Sequence, residues 1–284
     1  MKTYIITGGN SGLGFETAKR LISSDRKIIL ACRNIDKGTA AAKEIAKAAF
    51  CDNIEVQQLD LASFDSVRAF ANRMKGIKIY GLDNNAGISG IHTGTTEDGI
   101  DIVFQSNYLG HFLLTQLLLP QIEDNGRIMN VSSDMHNPPY GKLIWKGTNI
   151  LAYPDDEIMK ERYFFSKLCN LYFTYELNRQ LKTASSHITV SAFNPGFMGD
   201  TNLAGGNMTA ERIEHVKKTM PDRYGELPVS AQAAAEILTD CRFLSEEAVY
   251  YDRSTKPAKS SELSYSEENA KELWLESLKL TGLI

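Results

Sequence analysis

Thr7-Gly8-Gly9-Asn10-Ser11-Gly12-Leu13-Gly14 is the stretch on which the fold turns. It follows a short β-branched run, Thr3–Thr7, and opens a stretch of helical period, Gly12–Ser24; that strand-to-helix context gives a glycine-rich run its meaning. Gly8 permits a tight turn, Gly12 lets main chain approach a pyrophosphate, and Gly14 lets helix and strand pack closely. The first helical turn then offers unpaired N–H groups and partial positive charge to phosphate oxygens. Asn10, Ser11 and Leu13 complete the loop and are expected to share the contact. Glycines also serve plain turns, so this reading needs support from the rest of the chain. The spacing is TGxxxGxG, a departure from the commoner GxGxxG.

Outward from this loop, β-branched runs alternate with stretches of helical period. Strands are expected at Thr3–Thr7, Lys27–Cys32, Ile54–Leu59, Ile77–Asp83, Arg127–Ser132, His187–Phe193 and Ala248–Tyr251. Helices are expected at Gly12–Ser24, Ile35–Phe50, Ser63–Lys75, Thr96–Leu119, Glu157–Lys182, Ser230–Phe243 and Glu267–Leu280. Because each right-handed crossover between parallel strands needs a helix to return the chain, the pattern implies an α/β, Rossmann-type fold: a doubly wound, seven-stranded parallel sheet with helices on both faces. Three segments break the rhythm, at about 134–162, 199–228 and 253–284. The first two begin after strands five and six, where ligands sit in open α/β sheets, and are expected to wall a substrate pocket.

Composition narrows the function. A chain of 284 residues with 43% apolar and 23% charged content can bury one large core, so a single domain is expected over 1–284. A net charge of −4 gives no basic surplus for nucleic acid or anionic lipid. Cys32, Cys51, Cys169 and Cys241 form no close pair, and the five histidines have no ligand spacing, so reduced thiols and no metal are expected. No leader or apolar span is legible: Tyr4-Ile5-Ile6 is interrupted at once, and Phe112–Ile122 is too short. A cytoplasmic location without membrane contact follows as an expectation.

The loop spacing and a series of later motifs resemble the short-chain dehydrogenase/reductase family. Asn84-Asn85-Ala86-Gly87 is similar to that family's NNAG run, Asn107 to its helix asparagine, and Ser132-Ser133 to the serine pair closing the fifth strand. Tyr163-Phe164-Phe165-Ser166-Lys167 fits YxxxK, and Asn194-Pro195-Gly196 fits the turn after the sixth strand. Six motifs in family order cover residues 3–201. Within the family, Ala31-Cys32-Arg33-Asn34, Asn107–Leu114, Ser166–Asn170 and Glu272-Leu273-Trp274 resemble the branch of retinol dehydrogenases and protochlorophyllide reductases.

Alone, YxxxK means little, since roughly one occurrence is expected by chance in a chain with this many tyrosines and lysines. Its place on one face of a helix after a Ser-Ser strand end gives it weight. The resemblance implies that Tyr163 passes the proton, with Lys167 and the positive nicotinamide of the oxidised cofactor lowering the phenol pKa and Lys167 holding ribose hydroxyls. Ser133, preferred to Ser132 because the family serine is the second of the pair, would steady the substrate oxygen. Asn107 would hold a water linking Lys167 to solvent. Asp60, Leu61, Asn85, Ala86, Gly87, Pro195 and Gly196 are the further cofactor contacts it implies.

Cofactor choice turns on the second strand, where an NAD-selective site places an acid about 20 residues beyond the last loop glycine. Cys32 occupies that place, and Arg33, followed by Asn34, presents a planar guanidinium suited to a 2′-phosphate. NADP(H) is therefore expected, although Ser11 adds no second basic group. Two positions depart from the pattern. Asp83 stands where an aliphatic residue is expected, and a buried carboxylate there needs hydrogen-bonding partners. Asp200 occupies the place of the family threonine that grips the nicotinamide amide, so either a bulge brings Thr201 in or the contact is lost.

The resulting expectation is an NADP(H)-dependent oxidoreductase moving a hydride between nicotinamide and a carbonyl or alcohol. The alternatives are a catalytically silent NADP(H)-binding regulator and, because Cys169 follows Lys167 closely, a light-driven pigment reductase. Tyr140, Leu143, Trp145, Phe197 and Met198 suggest an apolar small-molecule substrate, though such residues equally serve packing. The 29 residues between Ser133 and Tyr163 are expected to cover the helical face that family oligomers bury, leaving a monomer or homodimer.

Overall fold

The computed structural model describes residues 1–153, 158–199, 201, 203 and 209–284; Glu157, Asp200 and the pair Gly205-Gly206 lie outside them. The chain runs β1 (Lys2–Thr7), α1 (Gly12–Leu21), β2 (Arg26–Cys32), α2 (Ile35–Ala49), β3 (Ile54–Gln58), α3 (Phe64–Arg73) and β4 (Ile79–Asn84). It continues through α4 (Ile102–Phe104), a π-helical turn (Gln105–Leu109), α5 (Gly110–Leu118), β5 (Ile122–Val131), α6 (Thr148–Ala152), α7 (Arg162–Thr183) and β6 (Thr189–Asn194). The last elements are α8 (Ala210–Thr219), α9 (Leu227–Thr239), β7 (Val249–Asp252), β8 (Pro257–Ala258) and α10 (Glu267–Leu280).

All of these strands join one sheet of order β3-β2-β1-β4-β5-β6-β7-β8. The expected seven are present and parallel, and an eighth was not foreseen: β8 pairs antiparallel with Tyr250 and Tyr251. Two residues containing a proline carry no alternation to read, which is why β8 looked like loop. The direction of winding reverses between β1 and β4, so their carboxyl ends flank the crevice in which such sheets bind ligands.

Alternation along the strands divides the core. Ile5, Ile29, Leu82, Ile128 and Val190 face α3, α5, α7 and α10, whereas Tyr4, Ile6, Ile28, Leu30 and Met129 face α1, α2 and α9. Each fully buried aliphatic contributes about 1.5–3 kcal/mol by leaving water. Helix starts follow their caps: the Asn34 side chain accepts from Lys37 N–H at 2.8 Å, and Ser63 Oγ from Ser66 N–H at 3.3 Å.

The helix expected at Thr96–Leu119 differs. Gly99 has φ +78°, which turns the chain, and Asp101 Oδ1 then caps Val103 and Phe104 at 2.9 Å, so helix begins at Ile102. Its second turn widens to π geometry around Asn107, a form that clusters at functional sites. β5 begins earlier than expected, at Ile122, because Gly126 allows a register shift: a Cβ there would lie 2.6 Å from Ile122 Cγ2 and 2.7 Å from Glu123 O.

The helical face of α5 and α7 is covered by α10, and α7 also by the 134–162 insertion, whose Trp145 stands edge-on to Tyr172 at 5.1 Å. Trp274 stacks edge-on against Phe112 at 5.1 Å and packs on Phe173. The insertion is in turn tied to α10. Glu272 accepts from Trp145 Nε1 at 3.1 Å and from the Thr148 N–H and hydroxyl at 3.1 and 3.0 Å, holding the start of α6.

Candidate active site

The phosphate loop is built by close main-chain approach. Gly8 and Gly12 adopt φ +66° and +54°, conformations an L side chain resists. A Cβ on Gly8 would lie 3.0 Å from Ala86, and one on Gly14 would lie 2.5 Å from Asn85 Nδ2 and 3.0 Å from Gly8 O. Asn85 closes the seam by donating from Nδ2 to Thr7 O at 2.7 Å, while Thr7 Oγ1 accepts from Asn85 and Ala86 N–H at 2.9 Å. Ser11 is the N-cap of α1 with no side-chain capping bond, and the first turn carries no acid. The first N–H groups of α1 are thus free of any capping side chain. That cradle fits a pyrophosphate. Leu13 is buried in the core, so its contribution is main chain.

The remaining residues expected to meet the cofactor follow the carboxyl ends of β2, β3 and β6. Thr201 lies against the loop, 3.6 Å from where a Gly12 Cβ would stand, with its hydroxyl donating to Met198 O at 2.9 Å. Gly196 turns at φ +81°, and Ser230 donates to Pro195 O at 2.7 Å. Asp60 caps its own turn by accepting from Ala62 N–H, and Leu61 is buried in the core. Arg33 is exposed and in no ion pair among the described residues, whereas Cys32 is buried with its thiol pushed up to about 11 by burial. Asn34 spends its side-chain oxygen on the α2 cap.

The structure brings Asn107 and Lys167 together beside Gly87 and sets Tyr163 against Lys167 and Ser133. A Cβ on Gly87 would lie 3.3 Å from Asn107 Oδ1 and 3.6 Å from Lys167 Nζ. Lys167 Nζ donates to Val131 O at 3.1 Å, sharing that carbonyl with Asn170. Ser132 Oγ is buried and donates to Lys167 O at 2.8 Å, while the half-buried Ser133 Oγ accepts from Met135 N–H at 3.2 Å and donates to Asp134 Oδ1 at 3.3 Å. Of the two serines, Ser133 therefore keeps the reachable hydroxyl.

Asn107 is a brace. Its Oδ1 accepts from Ile88 N–H at 2.7 Å, and its Nδ2 donates to Ile88 O and Ser166 Oγ, both at 3.0 Å. Its own carbonyl meets His111 Nδ1 at 3.2 Å, and His111 Nε2 meets Thr7 Oγ1 at 2.9 Å. Burial drives His111 down to about 3, so the ring is neutral. Sequence gave no sign of this link between phosphate loop and π turn.

The lowering of the Tyr163 phenol expected from Lys167 together with an oxidised nicotinamide is not produced by the protein residues alone. Crowding pushes it up to about 12, the Ser133 hydroxyl pulls against that, and Asp134 adds to the rise. Burial also pulls Lys167 down to about 8, and its Nζ stands 5.6 Å from the Tyr163 ring centre. Cys169 is fully buried and its thiol is pushed far up, mainly by burial, which suits packing and not proton transfer.

Charge pairs, unseen in the sequence, position this half of the site. Arg162, next to Tyr163, meets Asp101 at 2.6 Å with both side chains buried, off the hydrogen-bond axis, and so ties the start of α7 to the start of α4. Arg223, after α8, meets Asp134 at 3.2 Å and Asn137 O at 3.3 Å, latching the segment after β6 to the one after β5. Gly90 brings the loop after β4 onto Tyr163, with a Cβ position 3.0 Å from Tyr163 Cβ.

Of the five expected pocket residues, Leu143 and Met198 are buried in the core and Trp145 is fixed between Tyr172 and Glu272. Tyr140, exposed beside Phe164, and the half-buried Phe197 remain accessible. Asp83 is buried with neither carboxylate oxygen partnered, contrary to the expectation of compensating bonds, and burial pushes it up to about 8. A surface hollow of about 470 Å³, lined by Asn125, Leu181 and His187, lies at the amino ends of β5 and β6, away from this chemistry. No described helix is long and apolar enough to cross a membrane.

Known proteins resemble the chain throughout. The profile described as "short chain dehydrogenase" matches residues 2–144. Human retinol dehydrogenase 13 is 36% identical over 99% of this chain and 85% of its own length. Polyprenol dehydrogenase from Danio rerio is 34% identical over 99% and 87%. Among solved structures, an uncharacterised protein from Mycobacterium paratuberculosis superposes with a TM-score of 0.77 at 32% identity, covering 99% of this chain and 94% of that one.

Proposed function

The chain belongs to the short-chain dehydrogenase family, on its retinol dehydrogenase-like branch, and from that premise we propose that it is an NADP(H)-dependent oxidoreductase interconverting an apolar carbonyl compound and its alcohol. Membership itself makes it an oxidoreductase that works with a nicotinamide cofactor. The observation that carries the finer reading is the meeting of Tyr163 with the Ser133 hydroxyl and with Lys167, whose Nζ stands 5.6 Å from the Tyr163 ring centre and lies beside Gly87.

Gly8, Gly12, Gly14 and the start of α1 would hold the pyrophosphate, Lys167 the ribose hydroxyls, and the turn at Pro195, Gly196 and Thr201 the nicotinamide end. The bound cofactor supplies the hydride and, when oxidised, a positive charge. Ser133 donates to the substrate oxygen, and Tyr163 passes it the proton that an alkoxide needs. Lys167, held by Val131 O, stabilises the phenolate left behind. Because burial, only partly offset by the Ser133 hydroxyl, leaves the phenol near 12, the oxidative direction depends on these cations for its base. Arg33 supports NADP(H): it is exposed, pairs with no carboxylate among the described residues, and follows a neutral Cys32. The names of the relatives and the accessible Tyr140 and Phe197 support an apolar substrate. The burial of α5 and α7 by α10 supports a monomer or homodimer, and light scattering showing a stable tetramer would overturn that part. Cytoplasmic placement rests on four unpaired cysteines.

The test is NADPH oxidation against a panel of apolar aldehydes and ketones, with Tyr163→Phe beside the wild type. Turnover is expected to fall more than tenfold, a barrier increase above about 1.4 kcal/mol, with NADPH affinity within a few-fold. A Phe variant that keeps more than a tenth of wild-type turnover rejects Tyr163 as the proton carrier. A wild type inert toward the whole panel, yet binding NADPH, favours a silent regulator.

A further inference from the structure

Ser133 opens a short 3-10 turn, Asp134–His136, and the last residue of that turn is not accounted for by the chemistry above. His136 is 4% exposed. Its main-chain N–H donates to Ser133 O at 3.1 Å, and its ring Nδ1 reaches the same oxygen at 2.5 Å. Nε2 faces the N–H of Ser261 at 3.0 Å. A main-chain N–H can only donate and a carbonyl can only accept, so both contacts require a neutral ring with its proton on Nδ1. The ring also stands edge-on to Tyr250 of β7 at 5.6 Å. Ser261 begins the segment leading into α10, and its carbonyl accepts from Ser264 N–H and hydroxyl, so the anchor is itself fixed.

We propose that His136 is a positioning residue for Ser133: its neutral ring clamps the Ser133 carbonyl to the C-terminal segment, and a second proton on the ring releases the clamp and turnover with it. The proposal rests on the reading of Ser133 as donor to the substrate oxygen. Protonated Nε2 would present a donor to the Ser261 N–H, and the contact would become repulsive. The groups facing the ring are Asp252 of β7, whose carboxylate is paired with Arg253, and Arg223, which is paired with Asp134 of the same turn. Burial outweighs the Ser133 and Asp252 contributions and holds His136 below the ordinary histidine range. The clamp is therefore whole above that range, and it is lost as pH falls through the lowered value.

Ser261 offers a selective test. It already has φ −62° and ψ 151°, the backbone of a proline, and its hydroxyl has no partner. Ser261→Pro removes the one N–H that Nε2 accepts from and leaves the carbonyl in place. Without that donor the neutral ring loses support, so its titration should move up by roughly half to one pH unit. The measurements are the ring nitrogen-15 shifts of His136, the amide shift of Ser133, and kcat with NADPH and para-nitrobenzaldehyde, from about pH 5 to 9. The expected result is that ring, Ser133 amide and the acid limb of kcat move up together, with KM for NADPH within twofold. His136→Phe, which keeps the stack on Tyr250, should lower kcat at least tenfold at pH 8 and lose the acid limb. His136→Gln, able to donate and accept, should recover most of that kcat without titrating. An unmoved ring titration in Ser261→Pro, a Ser133 amide that does not follow the ring, or a His136→Phe kcat within twofold of wild type overturns the proposal. Ser133→Ala separates the two readings: a large loss there beside an unshifted Ser261→Pro removes the clamp alone, whereas an active Ser133→Ala removes the donor role and the clamp with it.

Discussion

Around the phosphate loop the molecule is held by main chain at distances that exclude even a methyl group, whereas around Tyr163 it is held by side chains of opposite charge reaching across the fold. Gly8, Gly14, Thr7, Asn85 and Ala86 form the first kind of seam. The pairs Arg162–Asp101 and Arg223–Asp134, with Glu272 on the start of α6, form the second. The cofactor half should therefore be intolerant of added volume and indifferent to pH. The substrate half should tolerate changes of size but respond sharply to any change that strands a charge.

The largest effect should come from stranding a charge. Arg162→Met leaves the Asp101 carboxylate buried without its cation, and a loss of about 3–5 kcal/mol in unfolding free energy is expected by urea denaturation. Arg162→Met with Asp101→Asn, which keeps the cap on Val103 and Phe104, should recover most of it. A single variant that loses less than about 1 kcal/mol would break the contrast, because an exposed pair behaves that way. Next is the glycine seam: a Gly14→Ala Cβ would stand 2.5 Å from Asn85 Nδ2. NADPH affinity is expected to fall at least a hundredfold, about 2.7 kcal/mol, in a fluorescence titration. Retained affinity would show that the seam can open.

Asp83 is the exception that sharpens the rule, an unpartnered acid inside the cofactor half. Its folded value, near 8, lies above the unfolded value of about 3.9, so the fold holds a proton that the unfolded chain gives up. Stability should then decline as pH rises between those two values. Asp83→Val, between Ile6 and Met129 in register, is expected to add about 1–3 kcal/mol at pH 7 and to flatten that decline in thermal melts. A destabilised Val variant would mean that the carboxyl has a partner after all. The smallest effect is at Arg33, where NADPH should be preferred over NADH at least tenfold in kcat/KM, about 1.4 kcal/mol. Arg33→Ala should erode this through weaker NADPH use, and an unchanged preference would dismiss Arg33 as selector.

What could be read from sequence follows the same division. Glycine spacing, strand ends and YxxxK are local, so the phosphate loop, the seven parallel strands and the candidate set at 107, 133, 163 and 167 were legible. The charge pairs join residues far apart in the chain, and neither Asp101 nor Arg162 sits in a pattern that names the other. Asp101 has a local signature as a helix cap, but Gly99, which moves the helix start to Ile102, looked like one more residue of helical period. His136 was likewise just one of five scattered histidines. Leu143 and Trp145 looked like pocket lining because an apolar residue in an insertion has the same composition whether it faces a ligand or α10.

The short antiparallel β8 has a consequence for how the protein behaves when concentrated. At this margin of the sheet the outermost strand has two residues, and Pro257 has no N–H to offer an incoming strand. The opposite margin, β3, carries Glu55, Gln57 and Gln58, with Glu55 held by Lys27 at 2.8 Å. Neither border is a long apolar ribbon on which a second molecule could continue the ladder. A sheet that ends in a proline on one side and in charge and amide on the other has its growth terminated in both directions, so crowded folded molecules should remain separate particles and not extend one another's sheets.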